Sequence, residues 1–370
     1  MTIVGTRPEI IKMSRVIAEL DLHSNHILVN TQQNCDYELN EVFFTELQIR
    51  KPDYFLGVSN GSFAKSIAEI IEKSDYVIAK EKPDAILIYG DTNSCLSAIS
   101  AKRRKVPIFH MEAGNRCFDQ RVPEEINRKI IDHLSDANLV TTEHARRHLI
   151  HEGIRSDLIF KTGSHMPEVL DYYMPMINES NILKKLKIDA KKYFLVSIHR
   201  DENINSRESI KNILEIFNQI IKIYKLPILV STHPRFRKAL EVSNLIKKFP
   251  EIKFLKPFGF FDYIKLQSES LCIISDSGTI AEEASLLNLP AINFREATER
   301  PESIDAGTVI MSGTKKENVM HSIKIVINQQ KDKTSFFNKI DDYNGGYVSK
   351  KILRIVFGYV NYINRNIWFS

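Results

Sequence analysis

Short apolar runs, polar turns and segments of helical period follow one another along the whole chain. The runs Thr2–Val4, His26–Asn30, Ala85–Tyr89, Val106–Met111, Ala137–Thr141 and Ile159–Thr162 read as one series of strands. Phe194–Ile198, Ile228–Ser231, Ile252–Leu255, Cys272–Ser275 and Ala291–Phe294 read as a second series. Several are apolar throughout rather than alternating, as strands covered on both faces are. Helical stripes lie between them: Ile10, Met13, Ile17 and Leu20 share one face, with Pro8 in the first turn. Strands alternating with helices predict an α/β fold with parallel sheets, and two series predict two Rossmann-like domains.

The polar, lysine-rich stretch Asp171–Lys192, with Pro175 and Asn178-Glu179-Ser180-Asn181, separates the two series and reads as their junction. The expected division is an N-terminal domain over 1–170, a C-terminal domain over 171–345, and a closing segment over 346–370. Within that segment Val348–Trp368 has helical period, broken by Arg354, Asn361, Asn364 and Arg365. It is expected to pack back on the N-terminal domain, with a membrane-surface helix as the alternative.

Composition narrows the class. The 370 residues are 43% hydrophobic and 26% charged, with no repeat or low-complexity tract. A formal charge of +5 suits an acidic small ligand and falls short of a nucleic-acid-binding surface. The densest basic run, Lys102-Arg103-Arg104-Lys105, reads as a solvated helix C-terminus before Val106. Cys35, Cys95, Cys117 and Cys272 lie far apart with no CxxC pair, which argues against a disulfide framework or structural zinc. With no signal peptide and no apolar run of membrane-spanning length, the expectation is a cytoplasmic protein without membrane insertion.

Open parallel sheets bind ligands beyond the carboxyl ends of their strands, so the residues after each strand are the test. Those tips carry Gly5-Thr6-Arg7-Pro8-Glu9, Gly90-Asp91-Thr92, Glu112-Ala113-Gly114, His199-Arg200, Asp276-Ser277-Gly278-Thr279 and Arg295. So many polar tips on two sheets point to one cleft between two domains. Ser277-Gly278-Thr279 opens a helix bearing Glu282 and Glu283, where backbone N–H groups face an anion and Gly278 allows close approach. Arg7 could offer a guanidinium fork to a diphosphate. Taken alone, Ser277 would read as an ordinary helix cap; together these features favour a nucleotide-diphosphate ligand.

The first half also holds three carboxylates, Asp91, Glu112 and Glu124. Carboxylates crowded in a low-dielectric cleft push their pKa values apart, which lets one accept a proton while another donates. The plain alternatives are a helix cap for Asp91 and a first-turn dipole partner for Glu124. Glu112 has no obvious capping role. His199 could bind phosphate or shuttle a proton, and His233 could line the cleft. His144, His148 and His151 have helical spacing, but the interleaved Arg146 and Arg147 favour a solvated face over a ligand set. No metal site is expected.

These motifs resemble the non-hydrolysing UDP-N-acetylglucosamine 2-epimerase family. The matching stretches are Gly5-Thr6-Arg7-Pro8-Glu9 with Lys12, Gly90-Asp91-Thr92, Glu112-Ala113-Gly114 and Pro123-Glu124-Glu125 with Asn127-Arg128. His199-Arg200, Asp276-Ser277-Gly278, Glu282-Glu283 and Glu299-Arg300-Pro301-Glu302 follow in family order across nearly the whole chain. The resemblance implies a GT-B-like fold with two sheets facing a central cleft, a homodimer, and no cofactor. It implies removal of the C2 proton of a UDP-linked 2-acetamido sugar and departure of UDP to leave a 2-acetamidoglycal. UDP then returns after a proton reaches the other face of C2. Asp91, Glu112 and Glu124 become the candidate acid and base groups, with His199 beside them; which carboxylate takes the proton stays open. Arg7, His199, Ser277 and Gly278 would hold the diphosphate, Glu283 the ribose and Tyr263 the uracil, with Lys12 and Thr279 also binding UDP.

The stretch Asn115-Arg116-Cys117-Phe118-Asp119-Gln120 looks like the branch that makes UDP-N-acetyl-L-fucosamine from UDP-2-acetamido-2,6-dideoxy-L-talose for capsule or O-antigen synthesis. Epimerisation of UDP-N-acetylglucosamine to UDP-N-acetylmannosamine is the alternative, followed by a GT-B glycosyltransferase, a non-catalytic UDP-sugar sensor and a hydrolysing epimerase. Two positions and the length before Gly5 depart from the family pattern. Gln32 stands where a glycine is usual, and His165 where a proline is usual. Only four residues precede Gly5, which leaves a shortened first strand, or a start upstream of Met1, as an expectation.

Overall fold

The computed structural model describes residues 1–31, 41–58, 61–243, 245, 249–331 and 340–369. Gln32 and Cys35 lie outside the described residues. Two compact units form, Met1–Tyr172 with Asp341–Ser370, and Tyr173–Ile340.

In the first unit the described strands are β1 (Thr2–Val4), β2 (Leu28–Asn30), β3 (Tyr54–Phe55), β4 (Ile86–Tyr89), β5 (Ile108–Ala113), β6 (Ala137–Val140) and β7 (Ile159–Lys161). They form one sheet in the order β3-β2-β1-β4-β5-β6-β7, every pairing parallel. The second unit holds β8 (Phe194–Ser197), β9 (Ile228–Ser231), β10 (Ile252–Leu255), β11 (Cys272–Ser275), β12 (Ala291–Asn293) and β13 (Ile310–Met311). Its order is β10-β9-β8-β11-β12-β13, again all parallel. Strand order reverses between β1 and β4 in one sheet and between β8 and β11 in the other. Loops leaving such neighbouring strands diverge to opposite faces and open a crevice at the strand ends.

The apolar runs form the buried central strands, as parallel sheets with helices on both faces require. Ile86–Tyr89 is buried throughout, and Phe194, Val196 and Ile274 meet Ile213 and Phe217 of the helix Arg207–Tyr224. Two elements escaped the pattern: β3 and β13 are two-residue edge strands, too short to carry a period. Boundaries moved at β2 and β5. His26 sits outside β2, where its ring reaches Asp21 at 2.6 Å and Thr2 Oγ1 at 2.8 Å. β5 runs past Met111 because a bulge carries the pairing through Glu112 to Ala113.

The expected junction carries two helices, Met166–Glu179 and Ile182–Leu186. Burial of Met166, Val169, Leu170, Tyr173 and Ile177 along one stripe outweighs the single hydrogen bond that Pro175 withholds. The final helix, Val348–Ile363, packs on the first helix, Arg7–His23, through Val348, Ile352, Val356 and Ile363. Its approach depends on close backbone contact: a Cβ on Gly345 would meet Thr162 O at 2.1 Å, and one on Gly163 would meet Gly345 Cα at 2.5 Å. The basic run is less free than expected, since Lys102 pairs with buried Asp136 at 2.5 Å and Arg104 grips Asp75 at 2.6 and 2.7 Å.

Candidate active site

In the first unit the tips of β1, β4 and β5 converge because those strands are neighbours. Thr6 caps the first helix, and the buried Glu9 carboxylate accepts from Gly5 N at 2.6 Å and Thr6 N at 3.3 Å. Thr92 Oγ1 donates to its other oxygen, tying the first helix to the turn after β4. Burial pushes the Glu9 carboxyl up to about 7, against the hydrogen bonds from Thr92, Gly5 and Thr6. A raised acid contributes stability fully below its ordinary 4.5 and loses that contribution as pH climbs through about 7. Glu9→Gln is therefore expected to flatten a loss of roughly 3 kcal/mol between those limits. Urea unfolding across that pH range checks it, and a slope equal to wild type would clear Glu9 as the cause.

Glu112 is the extra residue of the β5 bulge, held at φ 63°, a left-handed conformation that costs a side-chain-bearing residue energy. The bulge turns its carboxylate toward Lys12, whose ammonium lies 3.2 Å from Oε1 with both groups nearly buried. Gly90, at φ 69°, leaves room at the neighbouring tip, where a Cβ would sit 3.8 Å from Glu112 Oε2. Beneath the pair, Lys12 lies 5.7 Å from the Tyr89 ring centroid, and His165 meets the same ring edge-on at 5.4 Å. His165 is buried and its Nε2 has no hydrogen-bond partner among the described residues. Burial, aided by the Lys12 charge, pushes its imidazole down to about 3 and keeps it neutral.

Asp91 is gripped at Oδ2 by Arg128 Nε at 2.6 Å, while its carbonyl accepts from Asn127 at 2.9 Å. Arg128 also binds Glu125 at 2.7 Å, and Glu125 accepts from the N–H groups of Cys117 and Phe118, both at 3.1 Å. Burial raises the Glu125 carboxyl, but the Cys117 N–H and the Arg128 guanidinium prevail and hold it below the usual range. Of the two adjacent glutamates, Glu125 thus joins Asp91's network. Glu124 is half-buried in the first turn of the helix Pro123–Leu134, with no hydrogen bond or ion pair among the described residues.

One buried hub fixes these tips to each other. Asp132 Oδ1 lies 2.8 Å from His110 Nδ1, and His110 Nε2 lies 2.9 Å from the Gly90 carbonyl. Asp132 also accepts from Gly114 N at 3.2 Å and from Arg116 at 2.7 Å; Arg116 in turn reaches Glu152 at 2.6 Å. Sequence reasoning missed Asp132 and His110, although His110 is a polar residue inside an apolar strand. His148 is less solvated than expected: its Nδ1 lies 2.9 Å from the Gly114 carbonyl and its ring meets Phe118 edge-on. Among the described residues, no three His, Cys, Asp or Glu side chains are placed to hold a metal ion.

The second unit builds its tips around Asp276. This buried carboxylate accepts from His199 N at 3.1 Å, Arg200 N at 3.0 Å and Asn203 Nδ2 at 2.9 Å, with His199 Nδ1 also at 3.1 Å. Burial alone would raise its pKa; the His199 charge and these donors hold it at about 2. His199 keeps an exposed ring 5.6 Å from that of His233. Ser277 is not the helix cap, which is Thr279; its Oγ accepts from Thr279 N at 3.3 Å within the turn. A Cβ on Gly278 would come within 2.3 Å of Glu299 Oε1, and Glu299 is itself held by Arg295 at 2.7 Å. Glu283 accepts from Gln267 at 2.5 Å, and Tyr263 is half-buried in the first turn of the helix Phe260–Glu269. Arg7, half-buried at the start of the first helix, lies 5.4 Å from the Phe43 ring.

Each of the two parallel sheets gathers charged groups at its switch point, where open α/β sheets bind ligands. The UDP-N-acetylglucosamine 2-epimerase family model matches residues 18–357. A UDP-N-acetylglucosamine 2-epimerase structure from Rickettsia bellii is 59% identical, with a TM-score of 0.93, over 100% of this chain and 99% of that one. The UDP-N-acetylglucosamine 2-epimerase of Methanocaldococcus jannaschii is 34% identical over 96% of this chain and 97% of its own. The UDP-2,3-diacetamido-2,3-dideoxy-D-glucuronate 2-epimerase of Pseudomonas aeruginosa is 32% identical over 95% and 97%. At the level of fold alone, the likeness extends to the glycosyltransferase WaaG, with a TM-score of 0.60 and 10% identity over 97% and 100%. The chain belongs to the UDP-N-acetylglucosamine 2-epimerase family, a family of carbohydrate isomerases.

Proposed function

We propose that the protein inverts C2 of a UDP-2-acetamido sugar, converting UDP-2-acetamido-2,6-dideoxy-L-talose to UDP-N-acetyl-L-fucosamine. A base takes the C2 proton, the C1–O bond breaks with its electron pair leaving on UDP, and a C1–C2 double bond forms. A proton delivered to the opposite face of C2 and return of UDP to C1 complete the exchange, so electrons balance without a redox partner. Asp91, Glu112 and Glu124 supply the base and the acid, with Lys12 offsetting charge beside Glu112. Arg7, His199, Ser277 and Gly278 bind the diphosphate, Lys12 and Thr279 also contact UDP, and Glu283 and Tyr263 take the nucleoside.

The observation that carries the L-fucosamine reading is the position of the divergent stretch Asn115–Gln120. Its Cys117 and Phe118 amides are held by Glu125, which shares Arg128 with Asp91. A change of sequence there re-shapes the surroundings of a reacting carboxylate. UDP-N-acetylglucosamine is the second reading, favoured by the names of the R. bellii and M. jannaschii proteins. Proton NMR in D2O, with UDP-N-acetyl-L-fucosamine and UDP-N-acetylglucosamine in separate tubes, tests both. Deuterium at C2 of the fucosamine sugar alone, with its C2 epimer, is expected. Exchange confined to UDP-N-acetylglucosamine would replace the substrate, and no exchange in either would overturn the epimerase reading.

The diphosphate placement has its own check. Ser277→Ala is expected to weaken UDP binding about tenfold, the worth of one hydrogen bond to a charged group. Calorimetry with UDP measures it, and an unchanged affinity would move the diphosphate away from this turn.

A further inference from the structure

The final helix has two faces, and only one is accounted for by packing. Val348, Ile352, Val356 and Ile363 are buried. The opposite stripe, Tyr347, Lys350, Arg354, Phe357, Asn361 and Arg365, advances by three or four residues at each step and is exposed throughout. Its aromatic members are far from buried: Tyr347 is 70% exposed and Phe357 56%, and Phe369 beyond the helix is 87% exposed. Residues 346–370 contain Lys350, Lys351, Arg354 and Arg365 and not one aspartate or glutamate. A groove of about 500 Å³ opens along this face, lined by Tyr347, Lys350, Lys351, Arg354 and Tyr359 among others. Lys350 lies 4.9 Å from the Tyr347 ring centroid.

The nearby carboxylates are already engaged. Asp342 pairs with Lys161, Asp157 with Arg155, and Glu168 accepts from the N–H and hydroxyl of Ser349. The cations of the stripe therefore face outward without acidic neighbours on their own helix. Exposed aromatic rings alternating with cations match an interface where apolar tails meet phosphate headgroups. A second copy of the chain is a poor occupant, because a two-fold pairing of this helix with itself would set like charges against like. No helix of the described residues is long and apolar enough to cross a membrane, so contact would be superficial.

We propose that the exposed face of the final helix docks the protein on an anionic phospholipid surface, through Lys350, Arg354 and Arg365 on phosphates and Phe357 at the headgroup–acyl boundary. This placement is independent of the epimerase reading.

The test is co-sedimentation of the full chain with vesicles of phosphatidylglycerol and phosphatidylcholine (three parts to seven), against vesicles of phosphatidylcholine alone. Binding is expected only to the anionic vesicles and should weaken with added salt. The double variant Lys350→Glu with Arg354→Glu is expected to bind at least ~10-fold more weakly, since each cation contributes roughly fivefold near such a surface. Phe357→Ser should weaken binding while leaving its salt dependence in place. Circular dichroism and UDP affinity of the variants should match wild type, which separates loss of docking from loss of fold. Absence of binding to anionic vesicles would overturn the proposal, as would equal binding by the double variant. So would a change in oligomeric state of the double variant without vesicle binding, which would give this face to a second copy.

Discussion

Glu112→Gln is expected to lower kcat about 10³-fold while UDP binds with wild-type affinity. The amide keeps the shape of the carboxylate and can still accept from Lys12 through its oxygen, so the bulge and the Lys12 contact survive. What is lost is basicity, and with it the power to take or return a proton at C2. Nothing in the second unit is touched, and the turn at Ser277–Thr279 stays as it is. Deuterium wash-in at C2, followed by NMR, measures the chemical step; calorimetry with UDP measures binding. Wild-type exchange in this variant would remove Glu112 from the mechanism. Loss of UDP affinity in parallel with turnover would instead give Glu112 a role in holding the ligand.

Asp276→Ala carries the largest expected cost in stability. Asp276 is fully buried and receives the His199, Arg200 and Asn203 donors described above. Truncation leaves the buried Asn203 amide and the part-buried N–H groups of His199 and Arg200 without their acceptor, at a summed cost of about 3–5 kcal/mol, which lowers the melting temperature by roughly 10 °C for a unit of this size. UDP affinity should fall too, because the His199 ring loses the partner that orients it. The pH dependence has the opposite sign to that of Glu9. A carboxyl held at about 2 contributes stability that is complete above its ordinary 3.8 and disappears as pH falls through about 2. Acid unfolding of the wild type should therefore steepen below pH 4, and the alanine variant should lose that component. A melting temperature within a degree or two of wild type would mean that the donors find other acceptors.

The difference between the two sites shows why some residues were legible and others were not. Asp91, Glu112, His199 and Ser277 announce themselves because each follows an apolar run. Asp91 and Ser277 would pass singly for helix caps, and it is the recurrence of polar tips after successive strands that marks them. Asp132, which ties Gly114 to Gly90 through His110, lies within a helix whose polar residues look like any solvated face. Nothing local distinguishes it from Asp136. Glu124 and Glu125 are equivalent as neighbours in sequence, yet helical rotation buries one against Arg128 and leaves the other half-exposed. His148 follows the same rule: its spacing with His144 and His151 is visible, whereas its bond to the Gly114 carbonyl depends on where that helix docks.

By itself the sequence determined the α/β class, the central strands and most of the charged tips, because burial on both faces of a parallel sheet demands continuous apolar runs. It also carried the family motifs in order. Tertiary structure alone decided the strand order, and with it which tips are neighbours: β4 lies between β1 and β5, which brings Glu9 to Thr92 and Lys12 to Glu112. It decided the two-residue edge strands, which pair only because a neighbour offers a ladder. The bulge at Glu112 belongs here too, since an extra residue in one strand is defined only by the register of the next. Local periodicity reports which face of an element is buried; it holds no information about which element buries it.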